Sequence, residues 1–173
     1  DFLCDVCRRE RPAFDLARTA APFRGGIRTM LHDFKYRNAT WLRADLADWL
    51  EGALRAHVDP AQIDWVVPIP LHAARLRRRG YNQAALLTAA LARRLGLATR
   101  NDLLCRLRAT PTQTRLSAAG RRANVRGVFV ATQPAWIRGR TVLVVDDVMT
   151  TGATLDEAAR CLKQAGAWRV WAL

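Results

Sequence analysis

Val142-Leu143-Val144-Val145-Asp146-Asp147-Val148-Met149-Thr150-Thr151-Gly152-Ala153-Thr154-Leu155 is the stretch on which the fold turns. Its first four residues are branched and apolar with no polar alternation, so both faces of the segment are expected to be buried, as in the middle of a parallel sheet covered by helices. Asp146 and Asp147 follow at the carboxyl end of that strand, where open α/β sheets take their ligands. Two adjacent carboxylates there are costly unless hydroxyls, a metal or water meet them. Thr150, Thr151, Gly152, Ala153 and Thr154 then place small side chains and a permissive glycine before a helix. A phosphate can approach the free backbone N–H groups of such a turn, aided by threonine hydroxyls and the positive end of the helix dipole. The competing readings are an ordinary strand-loop-helix unit and a receiver-type phosphoacceptor pocket. A Walker loop needs a lysine after its glycine and a dinucleotide turn needs GxGxxG, and neither is present. The full pattern points to one phosphate beside one sugar.

Outward from this stretch, the chain alternates helix and strand. Apolar periodicity predicts helices over 28–37, 41–57, 82–95 and 153–164. Strands are predicted over 65–69, 103–107, 127–131, 141–145 and 168–173. Such alternation implies a parallel sheet with helices on both sides. At 173 residues and half hydrophobic, the chain suits one α/β domain with a substantial core and a short appendage. No apolar run approaches the ~20 residues of a membrane span and no signal peptide opens the chain, so a cytoplasmic location is expected. The net charge of +13 is nearly all arginine and favours polyanionic partners. An arginine excess among so many alanines also fits a GC-rich genome, which makes local clusters the better evidence.

Two such clusters stand out. After the strand at 65–69, Pro70, Leu71 and His72 lead into Arg75, Arg77, Arg78 and Arg79, a loop suited to holding phosphate oxygens with backbone N–H groups and guanidinium forks. The other runs over 108–126, long for a connection, rich in arginine and poor in apolar anchors, which suits a lid. Cys4 and Cys7 form a CxxC, half of a tetrahedral zinc site. Cys105 and Cys161 read as core residues. Of the six tryptophans, Trp41, Trp49, Trp65, Trp168 and Trp171 fall in predicted elements and read as core, leaving Trp136 as the candidate for stacking on a base.

Val142 to Leu155 resembles the phosphoribosyl pyrophosphate (PRPP) motif of type I phosphoribosyltransferases. Three further stretches, LHDFKYR (31–37), VVPIPLHAARLRRRGYNQA (66–84) and TPTQTRLSAAGRRANVRGVF (110–129), resemble in order and spacing the ComF/GntX family, linked to competence and DNA uptake. The resemblance implies a type I phosphoribosyltransferase fold over 21–173, a mostly parallel central sheet with helices on both faces, preceded by a remnant zinc-ribbon-like segment over 1–20. It also implies transfer of a 5-phosphoribosyl group from PRPP with release of pyrophosphate. On that reading Asp146 and Asp147 hold the ribose hydroxyls, Thr150, Thr151, Gly152, Ala153 and Thr154 hold the 5-phosphate, and Mg²⁺ bridges ribose and pyrophosphate. Pro70, Leu71, His72 and Arg79 bind pyrophosphate. Gln113, Leu116, Ser117, Arg121 and Asn124 belong to the flexible loop, with Arg121 neutralising the leaving group. Lys35, in LHDFKYR, is a further phosphate candidate whose place the sequence leaves open. Zn²⁺ at an incomplete Cys4–Cys7 site and single-stranded DNA or a competence helicase as partners complete the expectations. The alternative is a PRPP-sensing or single-stranded-DNA-binding competence protein without catalysis.

Overall fold

The computed structural model describes residues 8, 11–110 and 118–173. In chain order its elements are β1 (Leu16–Ala17), α1 (Gly25–Tyr36), α2 (Arg43–Arg55), β2 (Trp65–Pro68), α3 (Ala73–Arg79) and α4 (Gln83–Leu95). There follow β3 (Leu104–Arg106), α5 (Ala118–Val125), β4 (Phe129–Ala131), α6 (Pro134–Ile137), β5 (Thr141–Val145), α7 (Ala153–Gln164) and β6 (Arg169–Ala172).

β5 lies inside a parallel sheet of order β1-β6-β5-β2. All five of its residues are buried, as the apolar run Val142 to Val145 requires, with Thr141 buried at its start. Successive side chains of a strand point to opposite faces, and the two cores divide accordingly. Val142 and Val144 pack with Leu155, Ala158 and Leu162 of α7. Leu143 and Val145 pack with Leu31 and Phe34 of α1, Leu46 and Leu50 of α2 and Leu87 and Leu91 of α4. Helices on both faces are thereby explained by one strand. α4 begins where Asn82 accepts a hydrogen bond from the Ala84 N–H and ends at Gly96, whose φ of 68° supplies the left-handed cap.

β1 falls within the first twenty residues and is stitched to the sheet edge. Asp15 N–H donates to the Val170 carbonyl at 2.8 Å, and the Asp15 carboxylate accepts from Val170 N–H and pairs with Lys163, both at 2.7 Å. Nearby, Ala13 N–H donates to the Asp156 carboxylate at 2.5 Å, tying the same segment to the first turn of α7. Cys4 and Cys7 lie outside the described residues.

The structure corrects several expectations. β3 and β4 do not join the parallel sheet but form their own antiparallel ribbon. The stretch over 108–126 is not without structure: α5 occupies part of it, because alanines favour helix and Val125 provides a buried anchor against the α7 side of the core. The arginine run is likewise helical, with Arg75 and Arg79 one turn apart on α3 and half-buried while Arg77 and Arg78 are exposed. Cys105 is exposed, since β3 turns only alternate residues inward. Among the tryptophans, Trp171 is buried, but Trp41 and Trp168 are 68% and 66% exposed and Trp49 is also exposed. Trp41 sits in the short turn Thr40–Leu42 before α2, and Trp168 precedes β6, so neither occupies the inward position its predicted element implies. Trp136 is not a free stacking surface: the Arg100 guanidinium lies 4.4 Å from its ring centroid and Trp65 meets it edge-on at 5.7 Å.

Candidate active site at the carboxyl edge of the sheet

The carboxyl ends of β2 and β5 lie side by side, with Ile69 N–H donating to the Val145 carbonyl at 2.9 Å. This register brings the loop after β2 next to the acids after β5. From β5 the chain passes through Asp146 and Asp147 and reaches α7 through Gly152, whose φ of 73° is one that other residues adopt only with strain. The turn encloses a cavity of about 40 Å³ lined by Asp146, Met149, Thr150, Thr151, Gly152 and Thr154, among others. The predicted phosphate loop is thus a built concavity at the amino end of a twelve-residue helix.

Asp146 and Asp147 interact with each other through the Asp147 N–H, which donates to an Asp146 carboxylate oxygen at 2.9 Å. Burial first, and then the neighbouring Asp147 charge, pushes Asp146 well above the usual carboxylate range. Asp147 faces a cation: Lys35 Nζ, carried by α1, stands 2.5 Å from its Oδ2, and the Asp147 side chain is only 5% exposed. That Oδ2 has no aligned hydrogen bond among the described residues, so the contact is a close charge pair with bonding capacity to spare. Lys35 is thus paired with Asp147, a position set by how α1 crosses the sheet.

The loop after β2 divides the predicted pyrophosphate residues. Pro70, Leu71 and His72 are half-buried beside the acids' strand, and His72 Nδ1 accepts from Ala74 N–H at 3.3 Å to cap α3. Arg79 is turned elsewhere, donating to Gln83 and lying 5.2 Å from the Tyr36 ring centroid. Its motif neighbours form a clamp: Tyr81 hydroxyl donates to the Phe34 carbonyl, and Asn82 Nδ2 donates to the Ile69 carbonyl at 3.0 Å. RGYNQ thus ties α1, the loop after β2 and α4 together.

Sequence reasoning named Arg75 but missed Arg106, which shares a partner with it. Arg75 donates to the Thr110 carbonyl at 3.0 Å and Arg106 of β3 to the Thr110 hydroxyl at 2.6 Å. Burial and the charge of Arg75 lower the Arg106 pKa, and Asp146 opposes them. Two cations held on one residue near a carboxylate make a site for an anion bearing several charges. The signal available beforehand was weak: Arg106 is one arginine among many, placed inward only by strand alternation. Of the flexible-loop residues, Gln113, Leu116 and Ser117 lie outside the described residues, whereas Arg121 and Asn124 are on α5, which packs against α7.

On the α1 and α2 side of the acids lies a larger cavity of about 200 Å³, bounded by Asp146, Asp147, Val148 and Met149 and by apolar residues of both helices. No cluster of three or more His, Cys, Asp or Glu side chains able to hold a metal occurs among the described residues.

Comparison with known proteins agrees with this architecture. Residues 82–172 match the phosphoribosyl transferase domain. The chain is 34% identical to Competence protein F of Haemophilus influenzae, over 98% of this chain and 77% of that protein. It is 33% identical to the DNA utilization protein YhgH of Escherichia coli K12, over 98% and 76%, and 30% identical to Competence protein ComFC of Bacillus subtilis, over 94% and 65%. Among solved structures, a glutamine PRPP amidotransferase of B. subtilis complexed with ADP and GMP superposes with a TM-score of 0.51 at 22% identity, over 77% of this chain and 26% of that one, and shares the fold. With these relatives, its paired acids and its parallel sheet, the chain belongs to the ComF family of competence and DNA-utilization proteins, built on a phosphoribosyl transferase domain.

Proposed function

We propose that the protein binds PRPP at the carboxyl edge of the sheet and transfers its 5-phosphoribosyl group to an acceptor with release of pyrophosphate. The observation that carries this reading is at Asp146, which lines the cavity of the Thr150–Thr154 turn, accepts from the Asp147 N–H and lies within electrostatic reach of Arg106. The 5-phosphate would lie in the turn Thr150 to Thr154, and the ribose hydroxyls would donate to Asp146 and Asp147. Arg75 and Arg106 would take charge developing on the leaving pyrophosphate, with Arg121 on α5 as the further cation. In the displacement the acceptor forms a bond to C1 while the C1–O bond breaks, its electron pair leaving on pyrophosphate. The protein's contribution is chiefly position and charge.

Mg²⁺ fits the donor set. Two adjacent carboxylates, one with a buried oxygen lacking an aligned partner, match an ion that takes one or two protein carboxylates and completes its shell with substrate oxygens and water. When bound it would neutralise pyrophosphate charge. Titration calorimetry with PRPP, with and without Mg²⁺, tests the reading: Mg²⁺-dependent binding is expected in wild type and lost in Asp147→Asn. A folded wild type that binds no PRPP would overturn it.

A second reading, binding of single-stranded DNA, is favoured by the exposed Trp168, over which Arg169 sits at 5.9 Å from the ring centroid, within a chain of net charge +13. Retention of oligonucleotide binding after loss of both acids would separate it from PRPP binding. No helix among the described residues is long and apolar enough to cross a membrane, and a cytoplasmic site of action is part of the proposal.

A further inference from the structure

The cavity beside Asp146 and Asp147 has a chemistry of its own. Most of its side chains are apolar, with Phe23, Ile27, Leu31, Trp49, Leu50 and Leu173 prominent, and a smaller part of its surface is polar. Thr19 and the two acids are its only polar or charged side chains. It shares Asp146, Val148 and Met149 with the phosphate-loop cavity, so a sugar phosphate seated in the loop would have its ring over the acids and its far end directed at this space. Its volume of about 200 Å³ compares with the roughly 10–15 Å³ that one water needs on the same measure, which is room for a fused ring system.

From this we infer that the acceptor is a flat, uncharged aromatic nitrogen heterocycle with its polar atoms confined to one edge, and that it is neither a purine or pyrimidine base nor an aromatic acid. The inference rests on the PRPP reading above. A base such as hypoxanthine or uracil carries carbonyl and N–H groups around its perimeter, and apolar walls would leave most of them unpaired after stripping their water. An aromatic carboxylate would face two aspartates. A heterocycle with one nitrogen-bearing edge loses little: that edge faces the ribose held on the acids and the rest of the ring meets Trp49, Phe23 and the aliphatic walls. The imine-type ring nitrogen attacks C1 with its lone pair, pyrophosphate leaves with the C1–O electron pair, and the proton on the ring's other nitrogen passes to water.

The test uses benzimidazole as probe, with hypoxanthine, uracil and nicotinate as comparators. Each is titrated by calorimetry into the full chain, alone and saturated with ribose 5-phosphate. Ala20→Trp, at an exposed position on the cavity wall, adds an indole there without replacing a core residue. Benzimidazole is expected to bind wild type, the comparators at least about tenfold more weakly, and Ala20→Trp to abolish benzimidazole binding while keeping that of ribose 5-phosphate. Equal or tighter binding of hypoxanthine, uracil or nicotinate overturns the assigned class. Ribose 5-phosphate binding with no heterocycle binding overturns the inference and leaves the PRPP reading standing. A folded wild type that binds no ribose 5-phosphate removes the PRPP reading, and the acceptor assignment with it.

Discussion

At the scale of single residues, the two adjacent acids have different surroundings. Asp147 has Lys35 beside it, while desolvation and the neighbouring Asp147 charge hold half-buried Asp146 well above the ordinary value of 3.8. The folded state therefore keeps a proton that the unfolded chain releases near that value, so stability declines as pH rises from there toward the raised pKa. Asp146→Asn should unfold at a higher temperature than wild type at pH 7, with the gap closing near pH 4; a gap independent of pH would show that the acid is not the source. Lys35→Met should destabilise the protein by about 1–3 kcal/mol in urea titration, because it strands a carboxylate that is 5% exposed. The partial exposure of Lys35, at 22%, keeps the figure at the low end for a buried pair. Lys35→Met/Asp147→Asn should recover most of that loss. None of this was legible in LHDFKYR: the sequence marks Lys35 as a cation near a site, but only the crossing of α1 over β5 chooses its partner.

At the scale of elements, legibility followed the locality of the cause. β5 was readable because four of its five residues form an unbroken buried apolar run, and the turn into α7 because its glycine and hydroxyls act within a few residues of one another. The ribbon of β3 and β4 was not, since short strands carry no mark of which sheet they join. Arg106 and Thr110 are four residues apart, yet their bond matters because α3 brings Arg75 to the same threonine. Two predictions belong here. Gly152→Ala should cost about 1–2 kcal/mol in thermal or urea unfolding, from the φ of 73° alone, since the space around the added methyl is ordinary. It should also weaken ribose 5-phosphate binding. Tyr81→Phe should cost about 1–2 kcal/mol, as the Phe34 carbonyl loses its hydroxyl partner on α4's approach, and should loosen PRPP binding without abolishing it. An unchanged PRPP affinity would confine the RGYNQ clamp to a folding role.

At the scale of the whole molecule, the sheet separates two territories. One face, with α7, α5 and the ribbon, carries Arg106 and Arg121; the other, under α1, α2 and α4, holds the larger cavity. The acids mark the line between them. The net charge of +13 is spread well beyond this site, and if it serves oligonucleotides, affinity for an oligothymidylate should fall steeply with salt in wild type and in Asp146→Asn/Asp147→Asn alike. Trp168→Ala should weaken the same binding by about 1–3 kcal/mol, the worth of one stacked base. The bond from Ala13 to Asp156, with the Asp15 stitch behind it, has a mechanical consequence. Load applied to residues 11–17 arrives first at the opening turn of α7, making that segment a lever whose short arm ends beside the Thr150–Thr154 turn.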